Sequence, residues 1–211
     1  MLLLLVRHGM TDVTSTRLAG RTPGISLNAI GRGQAESLIP RLAGLQLDAI
    51  YSSPRERALE TAAPLAAARA IKIGVDARLD EVDYGEWSGQ EYRALRKTDL
   101  WKRVQQRPAD ARFPGGEAMR EAQGRVVAGL EAIFAAHPTG TVAAFSHADL
   151  IKAAIAHLTG LHLDLFQRLV VGPASVNAIV LGGNQPHLVR LNDMGSVADL
   201  APARRRSRNK V

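Results

Sequence analysis

The first apolar run of the chain is the feature that most constrains its fold. Residues 2–6 read Leu-Leu-Leu-Leu-Val without a polar interruption, and Arg7 follows directly. This run is too short to span a bilayer, and it lacks the basic leader and the small-residue cleavage site of a signal peptide. A continuous apolar run is typical of a strand that is buried on both faces of a parallel sheet. We therefore expect residues 2–6 to form a buried first strand.

Strand-like and helix-like segments alternate along the rest of the chain. Apolar residues recur at helical spacing in four stretches, which are 31–45, the segment after Pro54, 119–137, and the segment after His147 that Asp149 is expected to cap. Between them lie short apolar runs of strand length, at 49–52, 72–75, 141–146, 176–181 and 188–191, the last two joined by a hairpin across 182–185. This alternation predicts an α/β fold with three layers, α/β/α, and a mainly parallel central sheet.

The domain organisation follows from length and regularity. The chain has 211 residues and no linker rich in Pro, Gly or Ser, which predicts one catalytic domain over residues 1–200. Residues 82–116 are the least regular region, and a long excursion of this kind is often a lid or a substrate-binding region. The chain has no cysteine, which excludes disulfides and thiol chemistry and fits a cytoplasmic protein.

The net charge of +7 is unevenly distributed. The last nine residues carry no acid and hold five of the chain's basic residues, Arg204, Arg205, Arg206, Arg208 and Lys210. Without them the body of the chain is only mildly basic, so a nucleic-acid partner is not expected. Terminal blocks of like charge are usually solvated, and residues 201–211 are predicted to be a disordered tail.

Histidine and arginine cluster at the predicted strand ends. His8 follows the first strand beside Arg7, His147 follows strand 141–146, and Arg57 comes one turn after strand 49–52. The carboxyl ends of parallel strands lie at the edge where α/β sheets bind ligands. Arginine matches phosphate oxygens, and nearby cations keep an imidazole neutral and nucleophilic. The pattern therefore predicts phosphoryl transfer, while the residues alone leave open which histidine is the nucleophile.

Three carboxylic acids are candidates for the proton donor to the leaving group. Glu81 is favoured by its position, with Glu86 and Glu117 as alternatives. A metal site is not expected, because adjacent arginines would repel a cation, and no cofactor is predicted. Ser146, His147 and Asp149 are too close in sequence to form a hydrolase triad.

Five ordered motifs carry a family resemblance. They are Arg7-His8-Gly9, Ser52-Ser53-Pro54 with Arg57-Ala58, Leu79-Asp80-Glu81 with Gly85 and Trp87, Pro114-Gly115-Gly116-Glu117, and Ser146-His147. Together they resemble the histidine phosphatase superfamily, also called the phosphoglycerate mutase-like family. Within it, the chain resembles an actinobacterial-type branch of phosphomutases and phosphatases on the segments Asp83-Tyr84-Gly85, Phe113-Pro114-Gly115-Gly116-Glu117 and His162-Leu163-Asp164-Leu165-Phe166-Gln167. The resemblance covers residues 2–192 and implies a phosphoglycerate mutase-like fold.

The resemblance also implies a role for each matching residue. His8 attacks phosphorus and becomes phosphohistidine, Glu81 protonates the leaving oxygen, and the phosphoryl oxygens are held by Arg7, Arg57 and His147. Thr14, where many members carry Asn, and the backbone N–H of Ala148 are further expected phosphate contacts. Candidates for contacting the rest of the substrate are Arg21, Arg107 and Arg112.

The function expected from the sequence is hydrolysis of a small phosphorylated metabolite through phosphohistidine, without metal or cofactor. One alternative is a phosphomutase of the phosphoglycerate mutase type, which would use the same pocket. Another is a non-catalytic domain that binds phosphorylated ligands or a protein partner. A membrane association is not expected, and a homo-oligomer stays open.

Overall fold

The computed structural model describes residues 1–182 and 185–195. The strands are β1 (Leu2–Arg7), β2 (Ala49–Ser52), β3 (Ile73–Val75), β4 (Thr141–Ser146), β5 (Val176–Val180) and β6 (His187–Asp193). The α-helices are α1 (Ala29–Arg41), α2 (Glu56–Arg69), α3 (Tyr92–Leu95), α4 (Asp99–Gln106), α5 (Met119–Ala136) and α6 (Ala148–Leu158). Short 3₁₀ turns lie at Ala77–Leu79, Gly85–Trp87, Pro108–Asp110 and Leu163–Arg168.

The six strands form one mixed sheet in the order β3-β2-β4-β1-β5-β6. The pairs β3/β2, β2/β4 and β4/β1 are parallel, whereas β1/β5 and β5/β6 are antiparallel. The first strand therefore has a neighbour on each side, with Leu4 opposite Ala143 of β4 and Ala178 of β5. The predicted α/β fold with a mainly parallel sheet is confirmed, and residues 183–184 of the predicted hairpin lie outside the described residues.

Alternate side chains of β1 enter two different apolar clusters. Leu3 and Leu5 pack in a cluster with residues of α5 and α6. Leu4 and Val6 pack in a second cluster with residues of α1 and α2. Both faces of the strand are thus buried against helices, which explains why its sequence is continuously apolar.

The irregular segment 82–116 is anchored at its base by backbone contacts between its two ends. The N–H of Glu86 donates to the carbonyl of Pro114 at 2.9 Å, and that of Glu117 donates to the carbonyl of Asp83 at 3.0 Å. A side chain at Gly85 would meet the Pro114 oxygen at 2.1 Å, and its φ of +51° also favours glycine. The segment therefore begins and ends at a close backbone crossing that requires glycine.

The expected N-cap of helix α6 differs from the one in the structure. Helix α6 begins at Ala148 with His147 as its N-cap residue, so Asp149 does not cap it. The Asp149 carboxylate instead accepts a hydrogen bond from Tyr84 and pairs with Lys152, because it lies inside the first turn, where its side chain reaches both residues.

The basic residues Arg204 to Lys210 lie outside the described residues. Within the described ranges, the helices are too short or too polar to cross a membrane.

Candidate active site

His8 sits where β1 ends, beside the end of β4. Its backbone N–H donates to the carbonyl of Ser146 at 3.0 Å, which ties the two strand ends together. Its ring Nδ1 atom lies 2.8 Å from the carbonyl oxygen of Gly9. Because a carbonyl oxygen only accepts, Nδ1 carries the proton of the neutral ring and Nε2 keeps a free lone pair. His8 is therefore oriented as a nucleophile through Nε2.

The surroundings of His8 keep its ring neutral. Burial lowers the pKa of His8 well below its ordinary value, and the positive charges of Arg57 and Arg7 lower it further. The hydrogen bond to Gly9 opposes this shift without reversing it. The lone pair on Nε2 is consequently available at neutral pH.

His147 lies next to His8, with ring centroids 5.3 Å apart. Its Nδ1 atom lies 3.2 Å from Nη2 of Arg57, and its Nε2 atom lies 2.8 Å from the hydroxyl of Ser53. A guanidinium only donates, so Nδ1 accepts and the Nε2–H is directed to Ser53. Burial and the charge of Arg57 lower the pKa of His147, in agreement with a neutral ring. The Ser53 hydroxyl in turn lies 3.3 Å from Asp80.

This arrangement bears on the expected role of His147. His147 lies beside His8, and both of its ring nitrogens have protein partners in this geometry. Its Nδ1 atom accepts from the guanidinium of Arg57, and its expected contact with a phosphoryl oxygen stays a prediction. Ser53 and Asp80, which the sequence analysis did not select, belong to the same chain of contacts. Both residues could have been selected from the sequence, because they lie within the Ser-Ser-Pro and Leu-Asp-Glu motifs.

Arg7 and Arg57 present buried guanidinium donors beside His8. Arg7 uses Nη1 to donate to the carbonyl of Val171 at 2.7 Å, and Arg57 uses Nη2 to donate to the carbonyl of Gly20 at 2.8 Å. Among the described residues, Nε of Arg7 and both Nε and Nη1 of Arg57 are buried without a hydrogen-bond partner. Buried charged donors of this kind are costly unless an acceptor reaches them. An anion at this point would supply that acceptor.

Glu81 is the carboxylic acid of the site. It is buried, its Oε1 atom accepts a hydrogen bond from the N–H of Val82, and its Oε2 atom lies 3.8 Å from Nδ1 of His147. Burial, followed by the negative charge of Asp149, raises the pKa of Glu81 to about 7, although Arg57 opposes the shift. Glu81 is thus partly protonated near neutral pH and has a proton to donate.

The two rival acids lie elsewhere. Glu86 is exposed. Glu117 is held by ion pairs at 3.2 Å with Arg21 and 2.7 Å with Arg125. Of the three candidates for the proton donor, Glu81 is the one that lines the cavity beside His8.

A small cavity of about 90 Å³, called here the phosphate cavity, opens beside the nucleophile. The residues of the sequence prediction that line it are Arg7, His8, Thr14, Glu81 and Ala148. Thr14 is oriented by Thr11, whose N–H donates to the Thr14 hydroxyl at 3.0 Å. Ala148 is the first residue of α6, where a backbone N–H has no partner within the helix.

Nine further residues that line the phosphate cavity were not predicted as site residues, and three of them bear on its chemistry. Tyr84, Tyr92 and Asp149 line it, and the Tyr84 hydroxyl donates to Asp149 at 2.8 Å. The pKa of Asp149 stays below its ordinary value, because Lys152 and the Tyr84 hydrogen bond outweigh the opposing effect of burial. An ionised carboxylate therefore stands in a site that is otherwise built for an anion.

The three arginines proposed for substrate contact do not line the phosphate cavity. Arg21 donates to the backbone oxygen of Glu81 at 2.8 Å and pairs with Glu117, so it fixes the backbone that carries the acid. Arg112 pairs with Glu121. Arg107 lies at a separate surface depression with Arg103. Arg21 and Arg112 are held by acidic partners in the tertiary structure, and contact of the three arginines with a substrate stays a prediction.

The donors of the site do not form a metal-binding set. Within residues 1–182 and 185–195, no group of three or more His, Asp or Glu side chains is arranged to hold a metal ion. The positive charge that faces the phosphate cavity comes from guanidinium groups, which suit an anionic ligand.

Comparisons with known proteins agree with this geometry. A family model described as the histidine phosphatase superfamily (branch 1) matches residues 3–194. The chain is 30% identical over 195 residues to phosphoserine phosphatase 1 of Hydrogenobacter thermophilus, covering 90% of this chain and 91% of the relative. It is 29% identical over 177 residues to the probable phosphoglycerate mutase GpmB of Salmonella choleraesuis, covering 83% and 82%. Among solved structures, mycobacterial glucosyl-3-phosphoglycerate phosphatase Rv2419c in complex with VO3 superposes with a TM-score of 0.81 at 27% identity, covering 91% of this chain and 98% of that one.

Proposed function

The chain belongs to the histidine phosphatase superfamily, and from this premise we propose that it hydrolyses small phosphomonoesters through a phosphohistidine formed on His8. The observation that carries the proposal is the set of unpartnered guanidinium donors of Arg7 and Arg57 next to the neutral ring of His8. A phosphoryl group placed there receives positive charge on its oxygens and a nucleophile at phosphorus.

The proposed reaction has two steps. In the first, Nε2 of His8 attacks phosphorus, the ester P–O bond breaks, and Glu81 gives its proton to the departing alkoxide. In the second, the Glu81 carboxylate takes a proton from water, the resulting hydroxide attacks phosphorus, and the P–N bond breaks. Inorganic phosphate leaves, and His8 and Glu81 return to their starting protonation states.

His147 has a supporting part in this proposal. Its Nδ1 atom lies 3.2 Å from Nη2 of Arg57, which holds the guanidinium at that nitrogen and leaves donors on Nε and Nη1 for acceptors. Thr14 and the N–H of Ala148 are proposed as neutral donors from the opposite elements of the phosphate cavity.

The proposal is tested by trapping the intermediate. The enzyme is mixed with a ³²P-labelled phosphomonoester, quenched in alkali and digested, because phosphohistidine is stable to base and labile to acid. Label is expected on the peptide that contains His8, and it should disappear in His8→Ala. His157→Ala, a histidine exposed on α6, is the matched control and should retain the label. Hydrolysis without trapped label, or label that persists in His8→Ala, would overturn the assignment.

Mutase activity is the rival within the same family, as the similarity to a probable phosphoglycerate mutase indicates. A mutase must protect its phosphoenzyme from water until the phosphoryl group returns to the substrate. We propose that residues 82–116 act as a lid but are too short for full enclosure, so hydrolysis dominates. With 3-phosphoglycerate and added 2,3-bisphosphoglycerate, phosphate release should exceed formation of 2-phosphoglycerate. Faster isomerisation would favour the mutase.

The domain bounds and the layers of the fold are part of the same proposal. We infer one domain over residues 1–200, with helices on both sides of the sheet as three layers; the two core clusters on opposite faces of β1 support this arrangement. The third alternative, a non-catalytic binding domain, is disfavoured by the nucleophile and the acid in one cavity. The cytoplasmic location and a homo-oligomeric state stay predictions.

A further inference from the structure

A second cavity lies behind the residues that close the phosphate cavity on one side. It has a volume of about 230 Å³ and shares four lining residues with the phosphate cavity: Leu18, Tyr84, Tyr92 and Asp149. The two cavities therefore lie side by side along one shared wall of three apolar or aromatic side chains and one carboxylate. We call it the aromatic cavity.

Aromatic rings from the irregular segment dominate its lining. They are Tyr84, Trp87, Tyr92, Trp101 and Phe113. The rings hold one another in place: the centroids of Trp87 and Trp101 are 6.3 Å apart, those of Tyr92 and Trp101 5.9 Å, and those of Trp87 and Phe113 5.4 Å. Tyr92 and Trp101 are the partly exposed members of the set, so their faces and edges can make offset or edge-to-face contact with another ring.

The size of the aromatic cavity fits a ring system. An engineered cavity of about 150 Å³ in another protein binds benzene, so about 230 Å³ has room for one ring or two fused rings. Exposed Gln105 belongs to the lining, which places the cavity at the protein surface, where a substrate can enter. The cavity is therefore large enough for a ring and lies at the surface.

Charge at the shared wall restricts the ligand further. Asp149 lines both cavities and is ionised, and its hydroxyl partner Tyr84 lies in the same wall. A carboxylate on the leaving group would be repelled there, whereas a neutral ring, or one with a hydrogen-bond donor, would be accepted. This argues against phosphoglycerate-like substrates.

We propose that the aromatic cavity is the leaving-group subsite and that the preferred substrates are phosphomonoesters whose alcohol carries a planar aromatic ring without a carboxylate. The proposal rests on the proposed function, since it places the phosphoryl group at His8. It assigns to residues 84–113 a part in substrate selection in addition to covering the site.

The proposed leaving-group subsite is tested with two substrates whose leaving groups are both alkyl alcohols. Ethyl phosphate and 2-phenylethyl phosphate both release an alkyl alcohol, but the second carries a ring. The ratio of their kcat/KM values should favour the ring-bearing ester by at least about tenfold, which is the scale of a good aromatic contact. In Trp101→Ala the ratio should fall towards one, while Arg103→Ala, an exposed change on the same helix α4, should keep it.

A binding measurement separates this inference from the proposed function. Both tryptophans of the chain line the aromatic cavity, so their fluorescence reports its occupancy. The non-hydrolysable 2-phenylethylphosphonate should change the tryptophan emission and bind more tightly than ethylphosphonate. Hydrolysis of both esters with a ratio near one, together with equal phosphonate affinities, would overturn the leaving-group subsite and leave the proposed function intact. Absence of hydrolysis and of trapped label would instead overturn the proposed function.

Discussion

The Nδ1 atom of His147 lies 3.2 Å from the Nη2 atom of Arg57, and this contact joins the end of β4 to the first turn of α2. The same Nη2 atom donates to the carbonyl of Gly20. Arg57 is thereby held with its Nε and Nη1 atoms unpartnered and buried next to His8. A lysine ammonium at this place could not reproduce a planar group that is held at one nitrogen and keeps donors on the other two.

Arg57→Lys is expected to lower kcat/KM for phosphomonoesters by about 10²–10³, the usual effect of removing a donor that stabilises transition-state charge. The measurement is steady-state kinetics with an alkyl phosphate. Arg69→Lys makes the same change near the other end of α2, where the side chain caps the carbonyl of Leu42, and should leave kcat/KM within about twofold of the wild type. Equal losses in both variants would show that the arginine acts through the stability of the helix.

Glu81→Gln should separate substrates by their leaving groups. An alkoxide needs the proton of Glu81, whereas an aryl oxide departs with less help. We expect kcat/KM for an alkyl phosphate to fall by about 10²–10⁴, with a much smaller loss for an aryl phosphate. Glu86→Gln changes an exposed neighbour and should affect neither substrate. A uniform loss on both substrates would assign Glu81 to binding.

The pH dependence of the reaction should report the raised pKa of Glu81, about 7. The protonated acid is the active donor in the first step, so kcat/KM for alkyl phosphates should decline as pH rises through this value. The Asp149 charge helps to raise that pKa, and Asp149→Asn should therefore move the decline to lower pH. Glu131→Gln, an exposed acid on α5, should not move it. An unchanged profile in Asp149→Asn would contradict the coupling of the two carboxyl groups.

Orthophosphate should stabilise the folded chain, because its oxygens supply acceptors for the unpartnered donors of Arg7 and Arg57. At about 100 times Kd, a ligand contributes about 2.7 kcal/mol, which corresponds to a rise in Tm of roughly 5–10 °C for a chain of this size. Differential scanning fluorimetry at constant ionic strength measures the shift, with chloride as the control. Arg57→Ala should lose most of it, and an undiminished shift would place the phosphate elsewhere.

Activity is expected to survive prolonged treatment with EDTA, because guanidinium groups provide the positive charge that a metal would otherwise bring to the phosphoryl oxygens. The measurement is phosphate release before and after chelation, with vanadate as an inhibitor that imitates five-coordinate phosphorus. Loss of activity that zinc or magnesium restores would show that the reaction needs a metal.

Much of the catalytic edge could be predicted from local sequence. A continuous apolar run followed by Arg7-His8, and a second run followed by His147, place both histidines at strand ends, and the structure has β1 and β4 as parallel neighbours there. Periodicity carries this information because burial repeats every two residues in a strand and every 3.6 in a helix. The ordered motifs added the choice of His8 as nucleophile and of Glu81 as acid.

The partners of these residues were decided by the tertiary structure alone. His147 meets Ser53 from 94 positions away, and Tyr84 meets Asp149 from 65 positions away. Asp149 was expected to cap a helix, but it accepts a hydrogen bond from Tyr84 instead, since local sequence reports charge and propensity only. The way in which distant helices, strands and loops cross decides which of their side chains come within hydrogen-bonding distance. The sequence by itself therefore determined the strands, helices α1, α2, α5 and α6, and the residues at the sheet edge. How these elements cross decided which charges are paired and which remain free for an anion.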